Sequence, residues 1–257
     1  MIIDAYTFCY NEEIRLKYYL NLYAPLCRTI TIFDNGSTDS SKEIATKYDN
    51  VFWETEMYKD GTWNEFELKY LKSNCWKQSK DADWVVVSDV DEILYHKDGL
   101  DTYLDFLLNK TNKRIIRATG YDMVSTKLPS HNGNFYDDEE FQYGVKNQDY
   151  DKTCIFSPKD VSEINYDWGA HQVSPIALYG PKKRTDKINF LTLYDGELKL
   201  LHYKFISKDN YINRQKTSAT RLSENDKKIG VGHQYFYTKQ KMETDFEYVY
   251  KQRKKVI

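Results

Sequence analysis

The first hundred residues alternate short apolar runs with longer segments in which apolar and polar positions follow a helical period. The apolar runs are rich in β-branched and aromatic residues and predict four strands, at Ile2–Tyr10, Thr29–Phe33, Val51–Glu54 and Val85–Val87. The segments between them predict helices at 12–23, 40–48 and 64–80. Strands that alternate with helices are typical of a doubly wound sheet. The pattern therefore predicts an α/β fold with a mostly parallel central sheet and helices on both faces.

The rest of the chain has a less regular pattern. A helix is predicted over Gly99–Asn109 and a strand over Arg114–Thr119, whereas residues 121–150 have no clean period. So long an irregular stretch in a compact domain is usually a functional loop or lid. Short strands and two closing helices, Lys208–Arg221 and Thr238–Lys255, are predicted beyond it. No repeat or linker divides the chain, so we expect a single domain over all 257 residues.

Polar loops follow the first, second and fourth predicted strands. The most acidic is Asp89-Val90-Asp91-Glu92, directly after a buried valine run. Carboxylates at the end of a buried strand are costly unless a cation lies among them, and ligands bind at the carboxyl edge of an open α/β sheet. Oxygen ligands suit hard cations such as Mg²⁺ or Mn²⁺, which commonly hold substrate phosphates. We therefore expect a divalent-metal site for a phosphorylated ligand; the alternative is that these acids cap a following helix.

The composition narrows the class of protein. Lys and Arg number 37 against 39 Asp and Glu, for a net charge of −2, which gives no argument for a nucleic-acid partner. The four cysteines, Cys9, Cys27, Cys75 and Cys154, are scattered, which favours a reducing compartment over a disulfide framework. The N-terminus lacks the features of a signal peptide, and no window is apolar enough to cross a bilayer. We expect a soluble, cytoplasmic protein.

Three motifs of the first hundred residues together resemble one enzyme family. They are Tyr-Asn-Glu-Glu at 10–13, Phe-Asp-Asn-Gly-Ser-Thr-Asp-Ser at 33–40, and Asp-Trp-Val-Val-Val-Ser-Asp-Val-Asp-Glu-Ile-Leu at 83–94. Their order and spacing resemble the family 2-like glycosyltransferases of GT-A fold, above all the small branch whose metal motif reads Asp-x-Asp-Glu. The resemblance implies a GT-A fold with a nucleotide-sugar-binding half at residues 1–120 and an acceptor-binding half at residues 121–257.

The resemblance also implies a reaction and its partners. Such an enzyme moves a sugar from a UDP- or GDP-linked donor to a saccharide or lipid-linked glycan, and uses Mn²⁺ or Mg²⁺ as the Lewis acid for the leaving diphosphate. A role in surface polysaccharide synthesis is expected from the family alone. The alternatives are a phosphatase of the haloacid dehalogenase type and a non-catalytic carbohydrate-binding protein. The basic end of the chain, Tyr248–Ile257, is either a solvated helix end or a peripheral contact with lipid head groups at the inner membrane face.

Site residues follow from the same resemblance. The nucleotide sugar is expected to contact Asn11, Glu12, Asp34, Ser37, Asp89, Lys152 and Lys204. The metal is expected to be bound by Asp89, Asp91 and His202, with His171 as a further candidate. Each residue type also has an ordinary role: Asp in an Asx-turn, Asn and Glu at a helix N-terminus, His in a hydrogen-bonded core and Lys in solvent.

The catalytic base of an inverting transferase would be a carboxylate that deprotonates the acceptor hydroxyl. The candidates in the right part of the chain are Asp122, Asp138, Glu139, Glu140 and Asp167. Asp167 is favoured because its neighbours Tyr166 and Trp168 have rings that suit stacking on a sugar. A retaining enzyme would need no such base, and the sequence leaves the stereochemistry open.

Overall fold

The computed structural model describes residues 1–55, 61–177, 188, 190–194 and 196–257. Within these residues the strands are β1 (Ile3–Cys9), β2 (Thr29–Asp34), β3 (Val51–Glu54), β4 (Trp84–Val87), β5 (Glu92–Tyr95), β6 (Ile115–Ile116), β7 (Thr119–Ser125), β8 (Tyr143–Lys146), β9 (Ile155–Phe156), β10 (Val161–Glu163), β11 (Ile176–Ala177), β12 (Thr192–Leu193), β13 (Lys199–Ile206) and β14 (Lys254–Lys255). The α-helices are α1 (Glu13–Tyr23), α2 (Ser41–Ala45), α3 (Glu65–Asn74), α4 (Leu100–Lys110), α5 (Lys208–Arg221), α6 (Glu224–Lys228) and α7 (Lys239–Gln252).

The larger sheet contains seven strands of the described chain, in the order β12-β6-β9-β4-β1-β2-β3. The strands β3, β2, β1 and β4 are parallel, as are β6 and β12, whereas β9 runs antiparallel to both of its neighbours. The four strands that the apolar runs predicted are all present and lie next to one another. The predicted α/β fold with a mixed, mostly parallel central sheet is therefore confirmed.

Both faces of the larger sheet are covered, because the side chains of a strand alternate between the faces. On one face, Ala5 of β1 belongs to the same core cluster as Leu16 of α1 and Leu104 of α4. On the other face, Tyr6 of β1 belongs to the cluster against which Leu71 of α3 packs. Helices therefore lie on both faces of the sheet, as predicted.

Residues 119–125 and 143–146 form strands of a second sheet, so the prediction of an irregular loop or lid over 121–150 is wrong for those residues. Between the two strands, residues 126–142 contain only short 3-10 helices and irregular structure. This sheet has the order β14-β8-β7-β13-β5. Its longer strands are β7 and β13, which pair in parallel, and β8 pairs antiparallel with β7. The side chains of β7 are mixed in polarity, and its partner β13 is far away in sequence. Local periodicity cannot reveal a strand whose stability comes from such non-local pairing.

Two predictions about the ends of helices are also wrong, and so is the alternative that the acidic turn caps a helix. Helix α1 begins at Glu13, and Asn11 does not cap it. The acidic turn leads directly into strand β5 at Glu92, so no helix follows whose N-terminus the acids could cap. At the C-terminus, α7 ends at Gln252, and Lys254–Lys255 pair with β8 at the edge of the second sheet.

All four cysteines are buried free thiols, and burial raises the pKa of the Cys9 thiol to about 12. Cys9 therefore stays protonated and unreactive at neutral pH. In the described part of the chain, no helix has the length and apolar character that crossing a membrane requires.

Candidate active site

The carboxyl ends of β1, β2 and β4 lie side by side, because these strands are parallel neighbours. The loops that leave them surround a cleft of about 440 Å³. Most of the predicted site residues line it, namely Asn11, Glu12, Asp89, Asp91, Lys152, Asp167, His171, His202 and Lys204. Asp34 and Ser37 are not part of its lining. The edge of the sheet thus brings together side chains that are far apart in sequence.

Asn11 and Asp34 hold the two loops beside the cleft. Asn11 has a left-handed backbone with φ of 52°, and its Oδ1 accepts a hydrogen bond from the amide of Thr38 at 2.7 Å. The buried carboxylate of Asp34 accepts hydrogen bonds from the amides of Gly36 and Ser37 at 3.2 and 3.1 Å. Asp34 is thus the Asx-turn acid of its own loop, and direct contact between Asp34 and a nucleotide stays a prediction.

Asp91 is a buried carboxylate in the turn between β4 and β5. Its Oδ2 accepts a hydrogen bond from Nη1 of Arg214, on α5, at 2.9 Å, and lies 3.6 Å from Nε2 of His202. Burial alone would raise the pKa of Asp91, but the positive charges of Arg214 and His202 outweigh burial and hold that pKa well below its ordinary value. Asp91 is therefore ionised in the wall of the cleft.

His202, on β13, is held by a second carboxylate. Its Nδ1 lies 3.0 Å from Oδ1 of Asp122, on the neighbouring strand β7, and its ring packs on Tyr150 with centroids 4.0 Å apart. Burial lowers the pKa of His202, but the charge of Asp91 and the hydrogen bond with Asp122 outweigh burial, so the pKa is raised. A carboxylate bound at Nδ1 leaves Nε2 as the nitrogen that faces the cleft, an arrangement common among metal-binding histidines.

Asp91 and His202 form a pair of donors that fits a divalent metal ion. The carboxylate oxygen and the imidazole nitrogen lie 3.6 Å apart, which is short enough for both atoms to bind one ion at about 2.1 Å each. Over the described ranges, no group of three or more His, Cys, Asp or Glu side chains is arranged to hold a metal. Hard cations such as Mg²⁺ usually keep waters and take substrate phosphates as further ligands. Two protein donors are compatible with such an ion, and the metal itself stays a prediction.

Two further acids of the cleft are paired with lysines. Lys72, on α3, lies 2.7 Å from Asp89, and Lys152 lies 2.6 Å from Glu92. Burial alone would lower the pKa of both lysines, but the charge of Asp89 raises that of Lys72 and the charge of Glu92 raises that of Lys152. Lys72 was not predicted from the sequence, because nothing in its helical segment relates it to the acidic turn.

Arg214 is a second basic residue that sequence reasoning missed. It bridges two acids, since it binds Asp91 and also contacts Glu12. Arg15 lies behind Glu12 at 3.4 Å and is 1% exposed; burial lowers the pKa of Arg15 to about 10. The sequence gives only a weak indication that Arg214 belongs to the site. Arg214 and Ser218 are four residues apart on the predicted helix 208–221, so they lie on one polar face.

The remaining predicted residues have defined positions in the cleft. Burial lowers the pKa of the Lys204 ammonium and, together with the charge of Lys152, that of the His171 imidazole. Nδ1 of His171 is hydrogen-bonded to the carbonyl of Asp149. Asp167 is exposed, and its Oδ1 accepts a hydrogen bond from the amide of Trp168 at 2.8 Å.

The other carboxylates considered for the catalytic base have different surroundings. Asp122 binds His202, Asp138 accepts a hydrogen bond from the amide of Glu140, and Glu140 accepts one from the hydroxyl of Ser125. Of the five candidates, Asp167 alone belongs to the described lining of the cleft.

Comparison with solved structures finds low similarity over much of the chain. S. aureus TarS 1–349 in complex with UDP-GlcNAc is 12% identical over 96% of this chain and 72% of that chain, with a TM-score of 0.46. Glucosyl-3-phosphoglycerate synthase from Mycobacterium tuberculosis, in complex with Mn²⁺ and UDP-glucose, is 17% identical over 46% of this chain and 43% of that chain, with a TM-score of 0.32. The chain spans 65% of another TarS structure. Their ligands describe those proteins alone, and no curated protein sequence matches the chain.

A protein-family comparison gives a specific match. The family model of glycosyltransferase family 92 matches residues 38–230, about three quarters of the chain. The matched stretch contains the acidic turn, Asp122, Asp167, His202 and Arg214. The prediction that the chain belongs to a glycosyltransferase family is thus confirmed. The sequence motifs resembled a different family, the family 2-like enzymes, and the phosphatase alternative does not agree with the match. The chain belongs to glycosyltransferase family 92.

Proposed function

We propose that the protein transfers a sugar from a nucleoside-diphosphate sugar to a saccharide acceptor with a divalent metal ion. The observation that carries the proposal is the convergence of Asp91 and His202 at the carboxyl edge of the sheet, with Arg214 beside them. An ionised carboxylate, an imidazole nitrogen and a guanidinium suit a metal ion and a diphosphate. Membership of a glycosyltransferase family supplies the class of reaction.

The metal would be held by Asp91 and His202, and a bound Mn²⁺ or Mg²⁺ would supply Lewis-acid stabilisation of the leaving diphosphate. Asp122 fixes the orientation of His202 through Nδ1. The side chain of Asp89 is 33% exposed and lies in the same turn, so it is accessible to the ribose or to the metal.

Basic side chains of the cleft would bind the diphosphate directly. The side chain of Arg214 is 30% exposed, and its planar guanidinium matches two phosphate oxygens at once. Lys204 lies in the same cleft, where burial disfavours its charge, and a bound diphosphate would favour the charged form. Lys152 adds positive charge close by, although its partner in the structure is Glu92.

The nucleoside and the acceptor would occupy opposite parts of the cleft. Asn11, Glu12, Asp34 and Ser37 belong to the loops after β1 and β2, and we propose that these loops bind the base and ribose, with Asp34 acting by holding its loop. Asp167 is proposed as the base of an inverting transfer, because it is an exposed carboxylate in the cleft lining. The resemblance of the motifs to family 2-like glycosyltransferases favours a glycan of surface polysaccharide synthesis as the acceptor.

The test is metal-stimulated hydrolysis of a panel of UDP- and GDP-sugars, together with UDP binding with and without Mn²⁺. Asp91→Asn should lower the metal-stimulated hydrolysis rate by more than about 100-fold. It should also abolish the effect of Mn²⁺ on UDP affinity. Asp98→Asn is the control, because its side chain is 62% exposed and lies outside the cleft lining. Wild-type turnover by Asp91→Asn would refute the site. A protein that binds saccharides but neither UDP nor GDP would be the non-catalytic alternative.

A further inference from the structure

A second groove, of about 790 Å³, adjoins the candidate active site. One wall is helix α3, and the other is the segment 163–174, which follows β10. The walls are joined at the floor by a hydrogen bond from the amide of Tyr166 to the hydroxyl of Ser73 at 3.0 Å, and both residues are buried. The volume falls within the usual range of ligand pockets, about 300–1,000 Å³. The groove is therefore a built feature of the fold.

Two exposed aromatic rings stand along one wall of this groove. Phe66 is 65% exposed and Tyr70 is 71% exposed. They are four residues apart on α3, so their rings lie on the same side of the helix. Packing does not explain rings that are exposed to this degree, and aromatic faces at a groove suit stacking on the apolar faces of sugar rings.

The groove and the cleft are continuous. Lys69 and Asp167 line both of them. The ammonium of Lys69 lies 5.2 Å from the centre of the Trp168 ring, and that ring meets Phe66 edge-on at 5.6 Å between centroids. A ligand in the groove would therefore end beside Asp167, the proposed base, on the path to the donor sugar.

The charges of the groove disfavour an anionic ligand. Among the residues that the structure describes, its lining contains three carboxylates, Glu67, Glu163 and Asp167, and one ammonium, that of Lys69. Lys77 pairs with Glu163 at 2.7 Å from outside the lining, so in the described part of the groove the carboxylates still outnumber the cations. An anionic ligand such as a phosphorylated or sialylated glycan would be repelled.

We propose that this groove binds the part of a neutral acceptor oligosaccharide that lies beyond the sugar receiving the transferred residue. The proposal rests on the proposed function, because it assigns the acceptor side of the same site. It predicts that an oligosaccharide binds more tightly than a monosaccharide, since only the longer ligand reaches Phe66 and Tyr70.

The experiment measures saccharide binding by saturation-transfer NMR and titration, with no turnover needed. The probes are four neutral tetrasaccharides (lacto-N-tetraose, maltotetraose, mannotetraose and chitotetraose), their monosaccharides, and the anionic 3′-sialyllactose. The double variant Phe66→Ala, Tyr70→Ala should weaken binding of the preferred tetrasaccharide about tenfold and leave monosaccharide binding unchanged. The matched control is Phe106→Ala, Tyr248→Ala, because these rings are 55% and 65% exposed and lie outside both linings.

The outcomes separate this proposal from the proposed function. Equal tetrasaccharide affinity in wild type and the Phe66/Tyr70 variant, binding of no tetrasaccharide, or tighter binding of 3′-sialyllactose would each overturn the groove assignment. UDP binding is measured on the same samples and should be the same in all variants. If UDP binds normally and the Phe66/Tyr70 variant binds the tetrasaccharide as tightly as wild type, the groove assignment is wrong and the proposed function stands. If the Phe66/Tyr70 variant binds the tetrasaccharide more weakly but the protein binds neither UDP nor GDP, the groove binds saccharide and the proposed nucleotide-sugar donor is wrong.

Discussion

The ion pair between Lys152 and Glu92 gives the sharpest test of the electrostatics in the cleft. The ammonium and the carboxylate lie 2.6 Å apart, and their side chains are only 4% and 3% exposed. Lys152→Met keeps the length of the side chain but removes the charge, so the carboxylate of Glu92 stays buried without this partner. Removal of one partner of a buried pair costs about 3–5 kcal/mol of unfolding free energy.

The size of this effect can be checked against a surface pair of the same geometry. Lys159 and Asp83 lie 2.7 Å apart, with side chains 47% and 19% exposed. Because water screens this pair, Lys159→Met should cost no more than about 1 kcal/mol. For a chain of this length, about 2 °C of melting temperature corresponds to 1 kcal/mol. Lys152→Met should therefore lower the melting temperature by about 6–10 °C, and Lys159→Met by about 2 °C or less.

Urea unfolding and thermal melts of four proteins complete the test: wild type, Lys152→Met, Glu92→Gln and the double variant. The double variant buries a neutral amide in place of an unpaired carboxylate, so it should be more stable than Lys152→Met by about 1–2 kcal/mol. Such a recovery is the coupling that a double-mutant cycle measures. A Lys152→Met protein that melts within about 2 °C of wild type, or single effects that simply add, would refute a buried pair and leave Lys152 a solvated lysine.

Two further predictions concern a metal ligand and stability in acid. Asp122→Asn should raise the Mn²⁺ concentration for half-maximal UDP binding about ten- to hundredfold, because His202 loses the partner that orients it; an unchanged Mn²⁺ requirement would contradict this role. Arg28→Ala should cost about 1.5–3 kcal/mol at pH 7, since Arg28 donates two hydrogen bonds to the carboxylate of Asp4. Burial would raise the pKa of Asp4, but the hydrogen bonds of Arg28, together with those of Ser79 and Thr29, outweigh burial and lower that pKa. The stabilisation is therefore complete above the ordinary pKa of Asp4 and is lost as the pH falls through the folded-state value. Acid unfolding followed by circular dichroism should begin at a higher pH in the variant, and coincident curves would contradict the pairing.

The part of the fold that local patterns predict is the parallel core of the larger sheet. Strands β1 to β4 and helices α1 and α3 are visible because β-branched runs and helical spacing report directly on burial. Parallel strands also fix the place of the site, since their carboxyl ends meet at one edge. The alternation of strands and helices therefore suffices to assign the loops at Asn11 and Asp89 to one cleft, and both line it.

What the sequence does not predict is which partner each polar residue selects. The pairing of β7 with β13 joins Asp122 to His202 across 80 positions, and Arg214 reaches Asp91 across 123. No local period encodes contacts of this range. The loop after β2 is the opposite case. Its local sequence alone predicts that Asp34 accepts hydrogen bonds within its own turn, but it does not predict whether Asp34 also contacts a ligand.

If the proposed metal and diphosphate bind in the cleft, its charged side chains would exchange partners. Arg214 and His202 share one oxygen of Asp91, and Arg214 also contacts Glu12. An ion held between Asp91 and His202 would compete with Arg214 for that oxygen and release the guanidinium toward the phosphates. Diphosphate and metal would then each raise the affinity for the other, because linkage makes such coupling reciprocal. The pairs that Lys72 forms with Asp89 and Lys152 with Glu92 would likewise be open to competition from a bound phosphate.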